Sequence, residues 1–189
     1  MARPSLLLAT AGLSVAILAF STKANALGPV DIEISARAGV AAGNIGPLGF
    51  GIGGRGGVSI MGLYAGVEVI DYLGATAECG GCSWPAGAQP VMQSQSALLY
   101  GFEAGYNFKF SRVTIRPQLG LGNFHLSSAY GSPAPGPVSD VSNYVYLEPG
   151  VVGLVSLGVL FVGADVDALL FPTWPNAALT VHGQVGVSF

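Results

Sequence analysis

The segment His125-Leu126-Ser127 places an imidazole and a hydroxyl two residues apart, and Asp140, in a predicted loop, is the nearest acid that follows along the chain. A serine, a histidine and an acid held together can activate the serine hydroxyl for attack on an ester. Residues two apart in a strand point to the same face, so His125 and Ser127 would share one side. The same residues also fit the polar end of a strand, and we adopt this plainer interpretation.

Cys79 and Cys82 are the two cysteines of the chain and are separated by two glycines. An exported protein meets an oxidising compartment, where this pair would close a small disulfide ring. Zinc would need two further ligands, and the histidines available for this role are His125 and His182 alone. We therefore predict a disulfide between the two cysteines and no metal site.

The motif Gly51-x-Gly53-x-x-Gly56 matches the dinucleotide-binding fingerprint in its letters. That fingerprint requires a helix after the glycines, because the helix N-terminus receives the phosphates. Here Val58-Ser59-Ile60 continues the pattern of a strand. The sequence therefore predicts no nucleotide cofactor, and no cofactor of any other kind.

The composition excludes an ordinary soluble domain. Charged residues make up 9% of the chain and hydrophobic residues 51%, whereas soluble domains carry about 25% charged residues. No apolar run reaches the roughly 20 residues of a membrane helix. The net charge of −3 and the pI near 5.1 disfavour nucleic-acid binding, because phosphate recognition needs a basic face.

Residues 1–26 have the pattern of a secretory signal peptide. Arg3 precedes an apolar stretch that runs from Leu6 to Phe20, and Ala24-Asn25-Ala26 supplies a cleavage site of the small-x-small type. We therefore expect a mature domain of residues 27–189. A protein bound for the outer membrane must cross the inner membrane first, so its apolar residues have to alternate with polar ones.

This alternation is clearest at the end of the chain. Leu179, Val181, Val185 and Val187 share one face of a strand, and polar residues occupy the other. The same pattern predicts eight strands, near residues 30–42, 48–60, 63–74, 95–107, 113–125, 143–155, 159–170 and 178–189. Short and long connections alternate between them, which is typical of an outer-membrane barrel. The predicted fold is all-β: a closed, up-and-down, antiparallel, eight-stranded transmembrane β-barrel.

Two prolines fall inside these predicted strands. Pro117 and Pro149 each remove a hydrogen-bond donor from the ladder of a barrel. We expect a bulge near the periplasmic end of the barrel to accommodate this loss.

Most charged residues fall on the minor face of the strands, which would point into the barrel. The predicted interior polar residues are Glu33, Arg37, Arg55, Glu68, Glu103, Arg116, Glu148, Asp165, Asp167 and His182. Small barrels have packed interiors, and buried charges need partners. We therefore expect a polar plug that satisfies its own hydrogen bonds, with a narrow ion-conducting pore as an alternative.

Three segments resemble a known family. They are Val185-Gly-Val187-Ser-Phe189, Gly101-Phe102-Glu103-Ala104-Gly105-Tyr106, and Arg116-Pro117-Gln118-Leu119-Gly120-Leu121-Gly122. Together they resemble the small eight-stranded outer-membrane β-barrels of the OmpA and OmpX type. The resemblance implies that Phe189 is the signal read by the barrel assembly machinery. It also implies a monomer in the cell outer membrane, in contact with outer-membrane lipid and lipopolysaccharide.

The His125-Leu126-Ser127 segment is in addition similar to the His-x-Ser element of the outer-membrane lipid A deacylases, which are eight-stranded barrels as well. That resemblance implies that the pair faces outward near the extracellular rim, with an acid on the next strand. Ser128 stands where that family has asparagine. The expected function is structural or surface-interacting and not enzymatic, and a lipid A deacylase-like esterase is an alternative.

Overall fold

The computed structural model of the protein describes residues 30–46, 48–78, 92–131 and 138–189. The predicted signal peptide, residues 1–26, and the predicted disulfide partners Cys79 and Cys82 lie outside these ranges. Among the described residues, no helix has the length and apolar character that crossing a membrane requires.

Antiparallel strands make up almost all of the described chain. The strands are β1 (Val30–Gly43), β2 (Phe50–Ile60), β3 (Leu63–Glu78), β4 (Met92–Tyr106), β5 (Phe108–Phe110), β6 (Val113–Gly131), β7 (Val138–Leu157), β8 (Leu160–Leu170) and β9 (Ala177–Ser188). β4 pairs with β6 before Asn107, and β5 pairs with β6 after it, so β4 and β5 together count as one strand of the barrel wall (a wall strand). Each wall strand pairs with its sequence neighbours, and β1 pairs with β9. The predicted closed barrel of eight antiparallel strands is confirmed.

The exterior of the barrel is apolar, and most side chains of its interior are buried from solvent. Along β9, Val181 and Val185 are 42% and 55% exposed, whereas Thr180 and His182 are 0% and 1% exposed. This follows from the period of a strand, which sends successive side chains to opposite faces. Tight turns such as Met61-Gly62, both with positive φ, join the strands at one end. We call this the turn end and the opposite end the loop end.

Four strands extend farther than the sequence predicted: β3 runs to Glu78 and β4 begins at Met92, and the extensions of β6 and β7 are longer still. β6 continues to Gly131 and β7 begins at Val138, instead of ending near 125 and beginning near 143. The extra residues pair with each other, up to Tyr130 opposite Val138. Asp140 therefore lies in a strand, and its expected position in a loop was wrong. The apolar pattern marks only the part of a strand in contact with lipid, whereas backbone pairing continues without it.

The extension creates a sheet that rises above the barrel wall. The residues of β7 before Leu147 have no pairing partner in β8. The residues of β3 after Tyr72 likewise have no pairing partner in β2. Beyond these points β3, β4, β6 and β7 continue to pair with one another. We call this four-stranded extension the overhanging sheet.

The two prolines interrupt the ladder without shifting its register. Pro117 lies opposite the break between β4 and β5, where Gly105 pairs with Gln118 and Phe108 pairs with Ile115 in the same register. Around Pro149, the β7–β8 ladder lacks two rungs and resumes unshifted. The bulge expected at these prolines was wrong, because the barrel omits the pairs that a missing N–H would break. The pairing register between β3 and β4 does shift, between Tyr72 and Ala75 of β3.

Candidate functional site

The interior of the barrel is the first candidate site, since it collects most of the charged side chains. Nine of the ten residues that the sequence assigned to it are at most 5% exposed: Arg37, Arg55, Glu68, Glu103, Arg116, Glu148, Asp165, Asp167 and His182. The tenth, Glu33, lies near the turn end, and its side chain is mostly buried, with 12% exposed. These residues occupy alternate positions along their strands, so their side chains point into one chamber inside the barrel.

Arg37 on β1 is the centre of this cluster. Its guanidinium pairs with the Glu68 carboxylate, lies 2.7 Å from Asp165 Oδ1 and lies 3.5 Å from Asp167 Oδ2. The same nitrogen that contacts Asp165 is 3.2 Å from His182 Nδ1. One cation therefore meets side chains from three other strands, and the ion pairs join opposite walls of the barrel.

Arg55 on β2 forms a second ion pair beside the first. Its Nη2 lies 2.5 Å from Glu103 Oε1. The Gln118 amide then donates at 3.2 Å to Glu103 and at 3.2 Å to Asp167. An amide therefore connects the acid of the second pair to the group around Arg37.

Tyrosine hydroxyls extend the cluster toward the loop end. Tyr72 Oη lies 3.1 Å from His182 Nε2, and His182 Nδ1 lies 2.8 Å from Asp165 Oδ1. Tyr146 Oη donates to Glu68 Oε1 at 3.0 Å. Sequence reasoning missed these hydroxyls because it considered charged residues alone. The missed signal was parity, since Tyr72 and Tyr146 share the inward face with Glu68 and Glu148 on their own strands.

A separate ionic group lies nearer the turn end. Arg116 Nη2 is 2.5 Å from Glu33 Oε2, and its Nε donates to Asn107 Oδ1 at 2.6 Å. The guanidinium carbon also lies 3.6 Å from the centre of the Tyr64 ring, in cation–π geometry. Below this group a cavity of about 250 Å³ is open to the turn end and is lined partly by Asp31, Lys109 and Phe161.

The loop end of the interior is apolar, which the sequence analysis did not anticipate. The buried cluster there consists of Ile45, Leu48, Ile70, Tyr72, Ala97, Leu99, Phe124, Leu126, Tyr146, Leu169, Phe171 and Ala178. Phe124 and Phe171 meet edge to face with ring centres 5.1 Å apart. We call this cluster the apolar plug. It covers the ionic chamber on the side of the overhanging sheet.

Asp165, Asp167 and His182 lie close enough together to resemble a metal site, with ligand atoms within 4.8 Å of one another. However, the Arg37 guanidinium already lies against both carboxylates and the imidazole. A divalent cation placed among them would be repelled by this fixed charge at close range. The donor set does not fit a metal ion.

The candidate esterase residues are not brought together. His125 and Ser127 are on the outward face of β6, but Asp140 lies opposite Ser128, whose side chain faces inward. Asp140 accepts a hydrogen bond from Ser142 at 3.3 Å. His125 Nδ1 instead lies 2.8 Å from Asn143 Oδ1. The acid of the predicted set is therefore on the wrong face of the sheet.

Phe189, the predicted assembly signal, continues the pairing of the last strand. Its backbone exchanges two hydrogen bonds of 3.0 Å with Ile32 of β1. The residue therefore lies at the seam where the first and last strands close the barrel.

An apolar exterior, a closed ring of eight strands and an ion-paired interior define a β-barrel of the membrane type. No protein-family model matches the sequence. No curated protein matches it either.

Solved structures do match the fold, at low sequence identity. A major outer membrane protein from Thermus thermophilus superposes with a TM-score of 0.68 and 14% identity, over 85% of this chain and 99% of that chain. The N-terminal β-barrel domain of Pseudomonas aeruginosa OprF gives 0.55 and 14%, over 84% and 97%. Neisserial surface protein A gives 0.52 and 15%, over 85% and 97%. The chain is thus similar in fold to small outer-membrane barrels.

Proposed function

We propose that the protein is a non-enzymatic outer-membrane barrel that seals its own interior and carries the overhanging sheet outside the cell. The observation that carries this proposal is the apolar plug above the ionic chamber. A pore needs a continuous wetted path, and here buried apolar side chains such as Leu99 and Phe124, both 0% exposed, cross the lumen. A sealed barrel is a rigid support and not a conduit.

The height of the apolar exterior supports a location in a membrane. On β6 the outward residues are apolar from Val113 to Leu121, and Asn123 is the first polar one. A strand rises about 3.3 Å per residue, and the strands of such barrels are tilted by about 40° from the membrane normal. The segment from Val113 to Asn123 therefore spans about 25 Å along the normal. This is the height of the apolar band of outer-membrane barrels. Export through a signal peptide at residues 1–26 and insertion by the barrel assembly machinery belong to the same proposal.

The overhanging sheet supports a role in surface interaction. Its β3 edge is covered at Gly74, whose N–H donates to the Leu48 carbonyl at 3.0 Å, and residues 75–78 pair only with β4 among the described residues. Its β7 edge is covered only at the base, where Tyr144 stacks on Trp174 with ring centres 4.6 Å apart. Residues 138–143 of β7 pair only with β6 among the described residues. An uncovered strand edge can bind an extended segment of another polypeptide.

The same geometry favours a monomer in the membrane. Two copies in one membrane share an orientation, so a two-fold axis between them is parallel to the membrane normal. Rotation about such an axis leaves both β7 strands running toward the same side of the membrane. Antiparallel pairing of two β7 edges would therefore require one of the barrels to be inverted. The open edge therefore fits a partner from outside the membrane better than a second copy beside it.

Conductance measurements test the sealed barrel. Purified protein inserted in a planar lipid bilayer is expected to give no discrete current steps, while a porin inserted in parallel gives them. Insertion is checked by the heat-dependent shift in gel migration of folded barrels. Regular steps from the inserted protein would overturn the sealed barrel and favour the narrow pore.

The enzymatic alternative has its own readout. Mass spectrometry of lipid A from cells with and without the protein is expected to give the same acylation pattern. Loss of one acyl chain only in cells that make the protein would overturn the non-enzymatic assignment.

A further inference from the structure

A cavity at the turn end of the barrel has no part in the proposed function. Its volume is about 250 Å³, and it lies beneath the ion pair of Arg116 and Glu33. In the proposed orientation its opening faces the periplasm. Hydroxyl groups from three strands and from the turn before β6 line this turn-end cavity: Thr114, Ser156, Ser188 and Ser111.

These hydroxyl groups are free to bind a molecule inside the cavity. Thr114 is 8% exposed, and its hydroxyl makes no hydrogen bond with any residue that the structure describes, nor do those of the three serines. Its neighbours in the sheet are Leu154, which has an apolar side chain, and Lys109, which pairs with Asp31. The Thr114 oxygen is not among the unpartnered atoms that are closed to solvent. A polar group without a partner costs free energy when it is buried, so a ligand that supplies partners gains stability.

The charged side chains around the cavity are already paired with one another. Glu33 Oε2 lies 2.5 Å from Arg116 Nη2, and Asp31 pairs with Lys109 at the opening. These two acids and two bases carry no net charge, so a charged ligand finds no unpaired counter-charge. Glu33 Oε1, however, has no partner among the described side chains and remains as an acceptor.

One wall of the cavity is apolar. Leu154 and Phe161 line it, are 5% and 3% exposed, and belong to one buried cluster with Val152. A sugar ring has the same division, with hydroxyls at its rim and C–H groups on its faces. The volume of about 250 Å³ equals roughly eight water molecules at about 30 Å³ each. This is room for one sugar ring and not for an oligosaccharide.

We propose that the turn-end cavity binds a small uncharged polyhydroxy compound of the size of one monosaccharide. Thr114 and Ser156 exchange hydrogen bonds with its hydroxyl groups, since a hydroxyl both donates and accepts. Glu33 Oε1 accepts a further hydrogen bond, and Phe161 packs against the C–H face. This site goes beyond the proposed function, because binding depends on the cavity and not on the membrane around the barrel.

The test measures binding of glucose to the folded barrel in micelles of a detergent without a sugar group. Titration followed by saturation-transfer NMR gives the affinity, and glucosamine and glucuronate serve as charged probes of similar shape. Thr114→Val keeps the shape of the side chain and removes one hydroxyl, so we expect binding to weaken about two- to tenfold. Ser156→Ala tests a second hydroxyl, on another strand, with the same expectation. Thr76→Val is the matched control, because it makes the same change in the overhanging sheet, and it should bind as the wild type does.

The outcomes separate this inference from the proposed function. Saturable binding of glucose, tighter than that of both charged probes and weakened by Thr114→Val or Ser156→Ala, supports the site. Absence of saturable glucose binding, equal affinity of the wild type and both variants, or preference for a charged probe overturns it. Heat-dependent gel migration first verifies that each protein is folded. A failure here leaves the sealed barrel standing, because conductance and lipid A acylation are measured independently.

Conversely, failure of the protein to insert in a bilayer would refute the membrane location. Binding of glucose in micelles would still be measured on the folded barrel.

Discussion

Replacing Arg37 with methionine is expected to destabilise the barrel strongly. Both the guanidinium and its partners Glu68 and Asp165 have 0% exposed side chains. Methionine occupies most of the same volume, so the packing changes little. The two carboxylates, however, lose their counter-charge without gaining contact with water.

Removal of one partner from a buried ion pair costs about 3–5 kcal/mol, because the charge left behind is neither paired nor hydrated. We expect Arg37→Met to fall in this range. Glu68→Gln removes part of the excess negative charge that the variant leaves. The double variant is therefore expected to be more stable than the sum of the two single effects predicts, by about 0.5–3 kcal/mol.

The assay is urea unfolding of the barrel in lipid vesicles, followed by circular dichroism and gel migration. Lys109→Met is the matched control, because it removes a cation from an ion pair with Asp31 whose side chains are 55% and 36% exposed. That change should cost about 1 kcal/mol or less. We argue that pairing of the buried charges stabilises the chamber. This would be refuted if Arg37→Met lowered the free energy of unfolding by less than about 1 kcal/mol, or if the effects of the two substitutions were strictly additive.

The remaining predictions concern the packing and the closure of the barrel. Gly150→Ala should cost about 1–3 kcal/mol, because the new methyl group would overlap the Asp167 side chain. Gly153→Ala on the same strand should be nearly neutral, because its closest neighbour is 4.0 Å away. Equal urea midpoints for these two variants would contradict the assigned inner and outer faces. Tyr72→Phe removes the hydroxyl 3.1 Å from His182 Nε2 and should cost about 0.5–1.5 kcal/mol in the same titration. Unheated protein should migrate differently from boiled protein on a gel, and identical migration would contradict a closed barrel.

Much of the interior was predictable because strand parity needs no tertiary information. The alternation around Val181 and Val185 indicated which side of β9 faces outward, and the same rule brought Asp165 and Asp167 inward. The partners were not predictable. Arg37 and Asp165 are 128 residues apart, and their contact depends on the closure that pairs β1 with β9 and so brings β1 near β8.

The candidate esterase set illustrates the limit of this reasoning. Sequence order placed Asp140 just after His125 and Ser127, but register decides which face it occupies. In the β6–β7 hairpin, Asp140 lies opposite Ser128, and Asn143 lies opposite His125. A shift of one residue in register would have exchanged these faces. Loop length decides that register, and the strand extensions on both sides of the loop were not visible in the apolar pattern.

The amino-acid sequence by itself determined the eight strands, their direction and the sidedness of the wall, because each follows from local alternation and from tight turns. The tertiary structure alone decided that the loop end of the lumen is apolar, that Arg37 lies among the acids, and that the hydroxyl groups of three strands line one cavity at the turn end. These features arise when the sheet closes and sets the stagger between strands. That closure joins residues distant in the chain, and no local pattern encodes the distance between them.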